Sequence, residues 1–232
     1  MTRRSVVGIV RALEESGARY LIVGGLAVNA HGYHRLTVDV DIVLDMDEEN
    51  LRRATAALAA IGWRPLAPVP IEQFADAERR REWVRAKGLI VFTLHNPTDL
   101  ATNLDLFVEA PFDFAAAFAR ALRAEIAAGE SAWFVGFEDL VALKRAAGRS
   151  QDLADVDQLQ EARDVREEVE RKGRDHPDIV QEDMWPRGWA GHRRAQLRHS
   201  WKTSLPDQIA WLEETQPFAE QLARGRRLPE HH

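Results

Sequence analysis

Apolar residues recur along the chain at two spacings, one typical of helices and the other of strands. A helix is predicted over 5–17, because its apolar side chains share one helical face and Gly17 ends the pattern. That face consists of Val6, Ile9, Val10 and Leu13. The segment 38–44 instead alternates polar and apolar residues until its last positions, which predicts a strand.

The same spacings, together with glycine and proline breaks, predict the remaining elements. Further strands are predicted over 20–23, 89–95, 103–108 and 132–135. Further helices are predicted over 26–30, 47–61, 111–128, 137–147 and 152–172, and the proline-containing segment 65–77 is predicted to be a loop. Strands and helices interleaved in this way predict an α/β (α+β) fold, with helices flanking a small, mixed, twisted sheet.

The character of the chain changes near Gly173. The segment 173–191 holds prolines and glycines, and 191–224 has a helical pattern. We therefore predict a main domain over 1–175 and a helical C-terminal extension over 176–232. Four of the seven tryptophans lie in that extension, which indicates packing against the main domain or a second subunit: Trp185, Trp189, Trp201 and Trp211.

Composition excludes several classes of site and partner. The 232 residues include no cysteine, so disulfides, zinc–thiolate sites and cysteine nucleophiles are excluded. The net charge of −6 gives no bulk attraction for nucleic acid. No apolar run is long enough for a membrane helix, and the first residues lack the pattern of a secretory signal. We therefore expect no membrane association and a cytoplasmic location.

Gly24 and Gly25 stand between a predicted buried strand and a predicted helix. Glycine lets a backbone approach a ligand closely, and a helix start carries free N–H groups and partial positive charge that favour phosphate. The alternative is that the glycines serve only the packing of strand against helix.

Asp39 and Asp41 lie two apart on a predicted strand whose other members are apolar, so their side chains point to one face. Two carboxylates side by side on a buried strand repel each other, and a divalent cation relieves that repulsion. Oxygen ligands without cysteine suit Mg²⁺ or Mn²⁺. The alternative is a strand with one wet face, where both acids point to water.

Asp105 is a single acid inside a second apolar strand. If that strand lies beside the first, three carboxylates converge. Such a set with two Mg²⁺ ions suits in-line attack on the α-phosphate of a nucleotide, and Asp105 could take the proton of the attacking hydroxyl. As an isolated residue, it could equally be an acid at a strand edge.

Together these residues resemble the nucleotidyltransferase superfamily related to DNA polymerase β. The family pattern is Gly-Gly or Gly-Ser, a spacer, two acids in an apolar strand, and a later acid between apolar residues. Over 18–160 this chain has Val23-Gly24-Gly25, Val38-Asp-Val-Asp-Ile42 and Leu104-Asp-Leu106. The run Arg35-x-Thr37-x-Asp39-x-Asp41 is similar to AbiEii/AbiGii-type toxins, a bacterial branch of minimal nucleotidyltransferases. The resemblance implies a nucleotidyltransferase-type sheet in 1–175.

The resemblance also implies roles for individual residues. Lys144 would contact the triphosphate, Asp152 would help to position it, and Gly24, Gly25, Arg35 and Thr37 would complete the nucleotide site. From the residues alone, Lys144 could be a surface lysine and Asp152 the N-cap of the next helix. Where many family members have a phosphate-binding serine, this chain has Leu26, so backbone N–H groups would carry more of that binding.

The implied activity is metal-dependent transfer of a nucleoside monophosphate from an NTP to a hydroxyl. The acceptor could be a tRNA 3′ end, a protein or a small molecule, and a toxin–antitoxin role follows by analogy. The tryptophan-rich extension could dock a cognate antitoxin or a second copy. The alternative is a catalytically weak binding module for a nucleotide, RNA or partner protein, and Leu26 and the extension both leave it open.

Overall fold

The computed structural model describes residues 1–175, 197 and 203–225. Its helices are α1 (Arg3–Glu15), α2 (Gly24–Ala30), α3 (Glu48–Ala60), α4 (Ala77–Lys87), α5 (Phe114–Ala119), α6 (Phe137–Ala147), α7 (Ser150–Asp175) and α8 (Leu205–Gly225), with a 3₁₀ turn at Ile71–Ala75. Its strands are β1 (Tyr20–Ile22), β2 (Asp39–Leu44), β3 (Arg64–Pro65), β4 (Val91–Asn96), β5 (Asp99–Phe107), β6 (Leu122–Ala127) and β7 (Glu130–Phe134).

Within the described residues, seven strands form one mixed sheet in the order β3-β4-β5-β2-β1-β7-β6. Strand β2 runs parallel to β5, and β1 runs parallel to β7, whereas the other neighbours are antiparallel. Helices flank this sheet, so the predicted α/β class is confirmed.

The core forms where the central strands meet α1, α2 and α3. All three residues of β1 are buried, as are the apolar members of β2 and β5. Helix α1 buries the face that the sequence predicts, because Val6, Ile9, Val10 and Leu13 are fully enclosed. This packing holds β2 and β5 at the centre of the sheet, with neighbours on both sides.

The prediction of one helix over 111–128 is wrong. Helix α5 ends at Ala119, and 122–127 is strand β6. The strand forms an antiparallel hairpin with β7, whose turn contains Gly129 at φ +76°. The alanines of this segment favour a helix, but the hairpin buries Ile126 and Ala127 against the core, and this tertiary contact decides the outcome.

The loop predicted over 65–77 is only partly correct. The segment contains the end of β3 and the 3₁₀ turn, and it leads into α4, which the apolar spacing does not predict. Helix α4 buries little besides Arg80 and Trp83. Trp83 stacks on Phe92 of β4 with ring centroids 5.2 Å apart. Arg80 Nη1 donates to the Phe74 carbonyl at 2.6 Å, so a few contacts anchor a mostly charged helix.

Helix α8 lies within the predicted helical extension. Its buried residues Ile209 and Leu212 join the main hydrophobic core, and the helix packs against β6, α1 and α2. Trp211 is 46% exposed. The other three tryptophans of the extension lie outside the described residues. The boundary between 1–175 and 176–232 stays a prediction.

No helix in the described part of the chain has the length and apolar character needed to cross a membrane.

Candidate active site

Three carboxylates share one face at the centre of the sheet. Strands β2 and β5 are parallel neighbours, and their register places Asp41 opposite Asp105 and Asp39 opposite Asn103. Opposite residues of paired strands point to the same side, and so do residues two apart on one strand. Asp39, Asp41 and Asp105 therefore lie on one side of the sheet, and we call these three residues the acidic face.

Polar neighbours hold two of the three acids. Thr93, which lies opposite Asp105 on β4, donates from Oγ1 to Asp105 Oδ1 at 2.6 Å. The amide nitrogen Nδ2 of Asn103 donates to Asp39 Oδ1 at 3.2 Å. Among the described residues, none donates a hydrogen bond to the Asp41 carboxylate. The acidic face therefore keeps carboxylate oxygens available for another partner.

Burial and mutual repulsion disfavour the charged form of these acids. The pKa of Asp41 is raised to about 6, first by burial and then by the charges of Asp105 and Asp39, against the opposing effect of Lys144 and Arg35. Burial also raises the pKa of Asp105, although the hydrogen bond from Thr93 opposes that shift. A bound cation would relieve both causes.

The two glycines are required by the packing around them. Gly24 begins α2 with φ +63°, and a Cβ there would overlap the Asp41 carboxylate. A Cβ on Gly25 would lie 2.6 Å from Thr37 Oγ1 and 2.7 Å from Arg35 Nη2. Close packing therefore accounts for glycine at both positions, and their role in phosphate binding stays a prediction.

Arg35 is held beside the start of α2 by contacts to its backbone and its side chain. The buried amide of Asn29 accepts a hydrogen bond from the backbone N–H of Arg35 at 2.9 Å and donates to its carbonyl at 3.1 Å. The guanidinium contacts the carboxylate of Asp155 at 3.2 Å. Its Nε is buried and has no hydrogen-bond partner among the described residues.

Lys144 is buried rather than a surface lysine, with only 5% of the residue exposed. Its Nζ contacts Asp152 Oδ1 at 2.9 Å and Asp155 Oδ2 at 2.7 Å. Arg149 Nε donates to Asp152 Oδ2 at 2.7 Å. We call Arg35, Lys144, Arg149, Asp152 and Asp155 the ionic cluster.

Asp152 lies in the first turn of α7 rather than at its cap. Burial alone would raise the pKa of Asp152, but the hydrogen bonds from Lys144 and Arg149 lower it on balance. Asp152 is therefore ionised at neutral pH and bonded to two cations. Its predicted role in positioning a triphosphate, like the predicted contact of Lys144 with that triphosphate, stays a prediction.

Five residues at this site are not among the sequence-predicted ones: Asn29, Thr93, Asn103, Arg149 and Asp155. Asn29 is the one polar residue within a short apolar helix, which is a recognisable signal of a buried hydrogen bond. Asp155 follows Asp152 by about one helical turn, so both can face the same neighbour. Thr93 and Asn103 are recognisable only once the strands are in register.

The donor set fits a divalent cation, although the side chains do not form a compact cluster. Among the described residues, no group of three or more His, Asp or Glu side chains is close enough to hold a metal ion. The acidic face nevertheless offers only oxygen donors, and the other oxygens of Asp39 and Asp105 accept no hydrogen bond from a described residue. Side-chain rotations would be needed to gather the three acids around one ion.

No protein-family model matches the chain, and no curated protein matches it. Among solved structures, the chain is similar to the solution structure of the antibiotic-resistance factor ANT(2'')-Ia, with 15% sequence identity and a TM-score of 0.39. That match covers 99% of this chain and 97% of the other. A likeness of this size assigns neither an activity nor a substrate, so the function of this chain rests on its own site.

Proposed function

We propose that this protein is a metal-dependent nucleotidyltransferase that moves a nucleoside monophosphate from an NTP to a hydroxyl group. The observation that carries the proposal is the parallel register of β2 and β5, which puts Asp41 opposite Asp105. Three acids on one face, next to buried cations, combine a place for metal with a place for phosphate.

The acidic face would hold the divalent cation, either Mg²⁺ or Mn²⁺. When bound, that cation would stabilise the charge that develops on the attacking and leaving oxygens. Asp105 would accept the proton of the acceptor hydroxyl; in support, Thr93 holds one carboxylate oxygen and leaves the other open. The raised pKa of Asp105 makes it a better base than an ordinary aspartate.

The ionic cluster would supply positive charge to the phosphates. Arg35 Nη2 lies 2.7 Å from the Cβ position of Gly25, next to Gly24 and the Asp41 carboxylate, and Asp155 connects Arg35 to Lys144. Asp152 would hold Lys144 in place. Gly24, Gly25 and Thr37 would present backbone and hydroxyl groups at the start of α2, although the chain itself packs closely there.

The acceptor hydroxyl belongs to a tRNA 3′ end, a protein or a small molecule. A toxin–antitoxin role would add a cognate antitoxin or a second copy, docked through the tryptophan-rich extension. Trp211 is the described member of that set, and its partly exposed ring supports such a contact. The cytoplasmic location expected from the sequence stays a prediction.

Labelled transfer into cell extract tests the activity. Purified protein with Mg²⁺ and each of the four α-³²P-labelled NTPs should label an acceptor in the RNA, protein or metabolite fraction. An Asp39→Asn/Asp41→Asn double variant should lose the labelling at least about 100-fold, because it loses two of the three metal-binding carboxylates.

The matched control is Asp157→Asn, which removes an exposed carboxylate from α7 and should label as the natural protein does. Equal labelling by the double variant would refute the catalytic assignment. NTP binding with no transfer in any fraction would instead identify the chain as a binding module.

A further inference from the structure

Asp155 joins three parts of the chain through one buried carboxylate. The residue lies on α7, is 3% exposed, and contacts Lys144 of α6 at 2.7 Å. The same Oδ2 contacts Arg35 Nη1 at 3.2 Å, in the segment between α2 and β2. One carboxylate therefore holds Lys144 and Arg35 close together, although the two cations lie far apart in the sequence.

The two carboxylates of the ionic cluster have different partners. Asp152 shares Lys144 with Asp155, but its other partner is Arg149, whose side chain is 80% exposed. Asp155 is the carboxylate that also holds Arg35, whose side chain is 17% exposed. Loss of Asp152 would release an arginine to solvent, whereas loss of Asp155 would leave a largely buried arginine without its counter-ion.

The charges of the ionic cluster do not cancel. Three cations face two carboxylates, so the cluster has a surplus of one positive charge. Two adjacent glycines connect the cluster to the acidic face: the Asp41 carboxylate fills the Cβ position of Gly24, and Arg35 Nη2 lies 2.7 Å from the Cβ position of Gly25. Arg35, and through Asp155 also Lys144, therefore lie beside the acidic face, where we expect the phosphates of a nucleotide to bind.

Arg35 also has binding capacity that the chain does not use. Its Nε is buried without a partner among the described residues. Asn29 fixes the backbone of Arg35 through hydrogen bonds to both its N–H and its carbonyl. With the backbone fixed, the direction of the guanidinium depends on Asp155. The Arg35 side chain is 17% exposed, and its accessible N–H groups can form charge-assisted hydrogen bonds with an anionic ligand.

We propose that Asp155 is a positioning residue that aligns Lys144 and Arg35 as a pair toward the phosphates of a nucleotide bound at the acidic face. Asp155 does not touch the substrate and acts through the two cations. The inference rests on the proposed nucleotidyl transfer and deepens it by naming the residue that organises the triphosphate contacts.

The test is a double-mutant cycle on NTP affinity. The variants are Asp155→Asn, Arg35→Gln and their combination, with Asp157→Asn as the control on the same helix. Each is titrated with the four fluorescently labelled NTPs in Mg²⁺, and thermal melting verifies that each variant is folded. Asp155→Asn should weaken NTP binding ~10-fold, the lower end of what a lost supporting contact costs.

The cycle separates positioning from a general loss of structure. In the Asp155→Asn background, the further change Arg35→Gln should cost less than twofold, because Arg35 is already misdirected. Asp157→Asn should bind as the natural protein does. The positioning role would be overturned if the losses of NTP affinity in the two single variants multiply in the combined variant. It would also be overturned if Asp155→Asn binds NTP as the natural protein does.

Two further results have separate meanings. If the natural protein binds none of the four NTPs, the proposed function fails, and this inference fails with it. If Asp155→Asn does not fold, the cycle is run with Asp155→Glu, whose longer arm displaces the carboxylate while keeping its charge. If the combined variant then binds NTP no more than twofold more weakly than Asp155→Glu alone, the positioning role is supported. If the two losses of NTP affinity multiply, the role is refuted.

Discussion

Gly24 and Asp41 occupy adjoining space, and each restricts what the other can be. Gly24 has a left-handed φ, and the Asp41 carboxylate fills the position that a Cβ would take. The contact brings the start of α2 against the acidic face. The sequence pattern predicts that Gly24 binds phosphate. The folded chain shows a further, steric reason for glycine at this position.

Gly24→Ala should destabilise the protein by about 2–4 kcal/mol, from strain at positive φ together with the clash against Asp41. Gly17→Ala is the matched control, because Gly17 has φ +67° and open space around the missing Cβ. It should lose only about 1–2 kcal/mol through backbone strain. Urea unfolding measures both variants, and equal losses would contradict the close contact.

Asp41 should lower the stability of the metal-free protein at neutral pH. Its pKa rises from an ordinary value near 4 to about 6 on folding, so the folded state holds the proton more tightly than the unfolded state. The favourable contribution is complete below pH 4 and is lost as the pH rises through 6. Asp41→Asn, which carries no charge, should therefore be more stable than the natural protein at pH 7 by about 2–3 kcal/mol.

Denaturant unfolding in EDTA at pH 7 and pH 4 measures this effect. The advantage of Asp41→Asn should vanish at pH 4, where the natural carboxyl is also neutral. Asp157→Asn, an exposed change, should show no such dependence. A variant less stable than the natural protein at pH 7 would mean that Asp41 has a stabilising partner in solution.

At the scale of elements, α6 and α7 are joined at both ends by charge. Lys144 near the end of α6 meets Asp152 and Asp155 in the first turns of α7. Near the start of α6, Arg163 of α7 contacts Glu138 at 2.7 Å and covers the ring of Phe137. The buried end orders the ionic cluster, whereas the exposed end contributes little.

Lys144→Met should cost about 3 kcal/mol, because it leaves two buried carboxylates with one cation each. Lys87→Met, at the exposed end of α4, should change stability by less than about 0.5 kcal/mol. Urea unfolding at pH 7 provides the comparison. Similar small losses in both variants would mean that Lys144 is solvated in solution rather than enclosed.

The spacing of apolar residues predicts a helix or strand well when that element buries one continuous apolar face. It predicts α1 and β2 nearly to their observed ends for this reason. It misses α4, whose buried contacts are few, and it takes the alanines of β6 for a helix. In both cases the deciding contacts come from another part of the chain: Phe92 for α4 and β7 for β6.

At the scale of the whole molecule, the sheet places its two parallel central strands between antiparallel neighbours. Strand β4 contributes Thr93, which binds Asp105, and α2 contributes Gly24, which packs against Asp41. Helices α6 and α7, which follow the acidic face in the sequence, contribute most of the ionic cluster. The site therefore depends on the assembled fold rather than on a single loop, so ligand binding should report on global stability.

Mg²⁺ should raise the melting temperature of the natural protein. At 100 times its dissociation constant, a ligand that binds only the folded state adds about 2.7 kcal/mol, or ~5–10 °C for a chain of this size. Asp39→Asn/Asp41→Asn should show no rise, and K⁺ at equal ionic strength should have no effect on either protein. Thermal melting monitored by circular dichroism gives the values. If Mg²⁺ raises the melting temperature of the double variant equally, the ion does not bind at the acidic face.

The sequence by itself determined which chemistry is present: two acids two apart in an apolar strand, a third in another strand, and a glycine pair between a strand and a helix. It also determined that Asp39 and Asp41 share a face, because strand period is a local property. Only the tertiary structure decided that Asp105 lies on that same face, since this depends on the parallel register of β2 with β5. It likewise decided that Arg35 meets Asp155, 120 residues away, because pairing at that distance follows from helix packing and not from spacing.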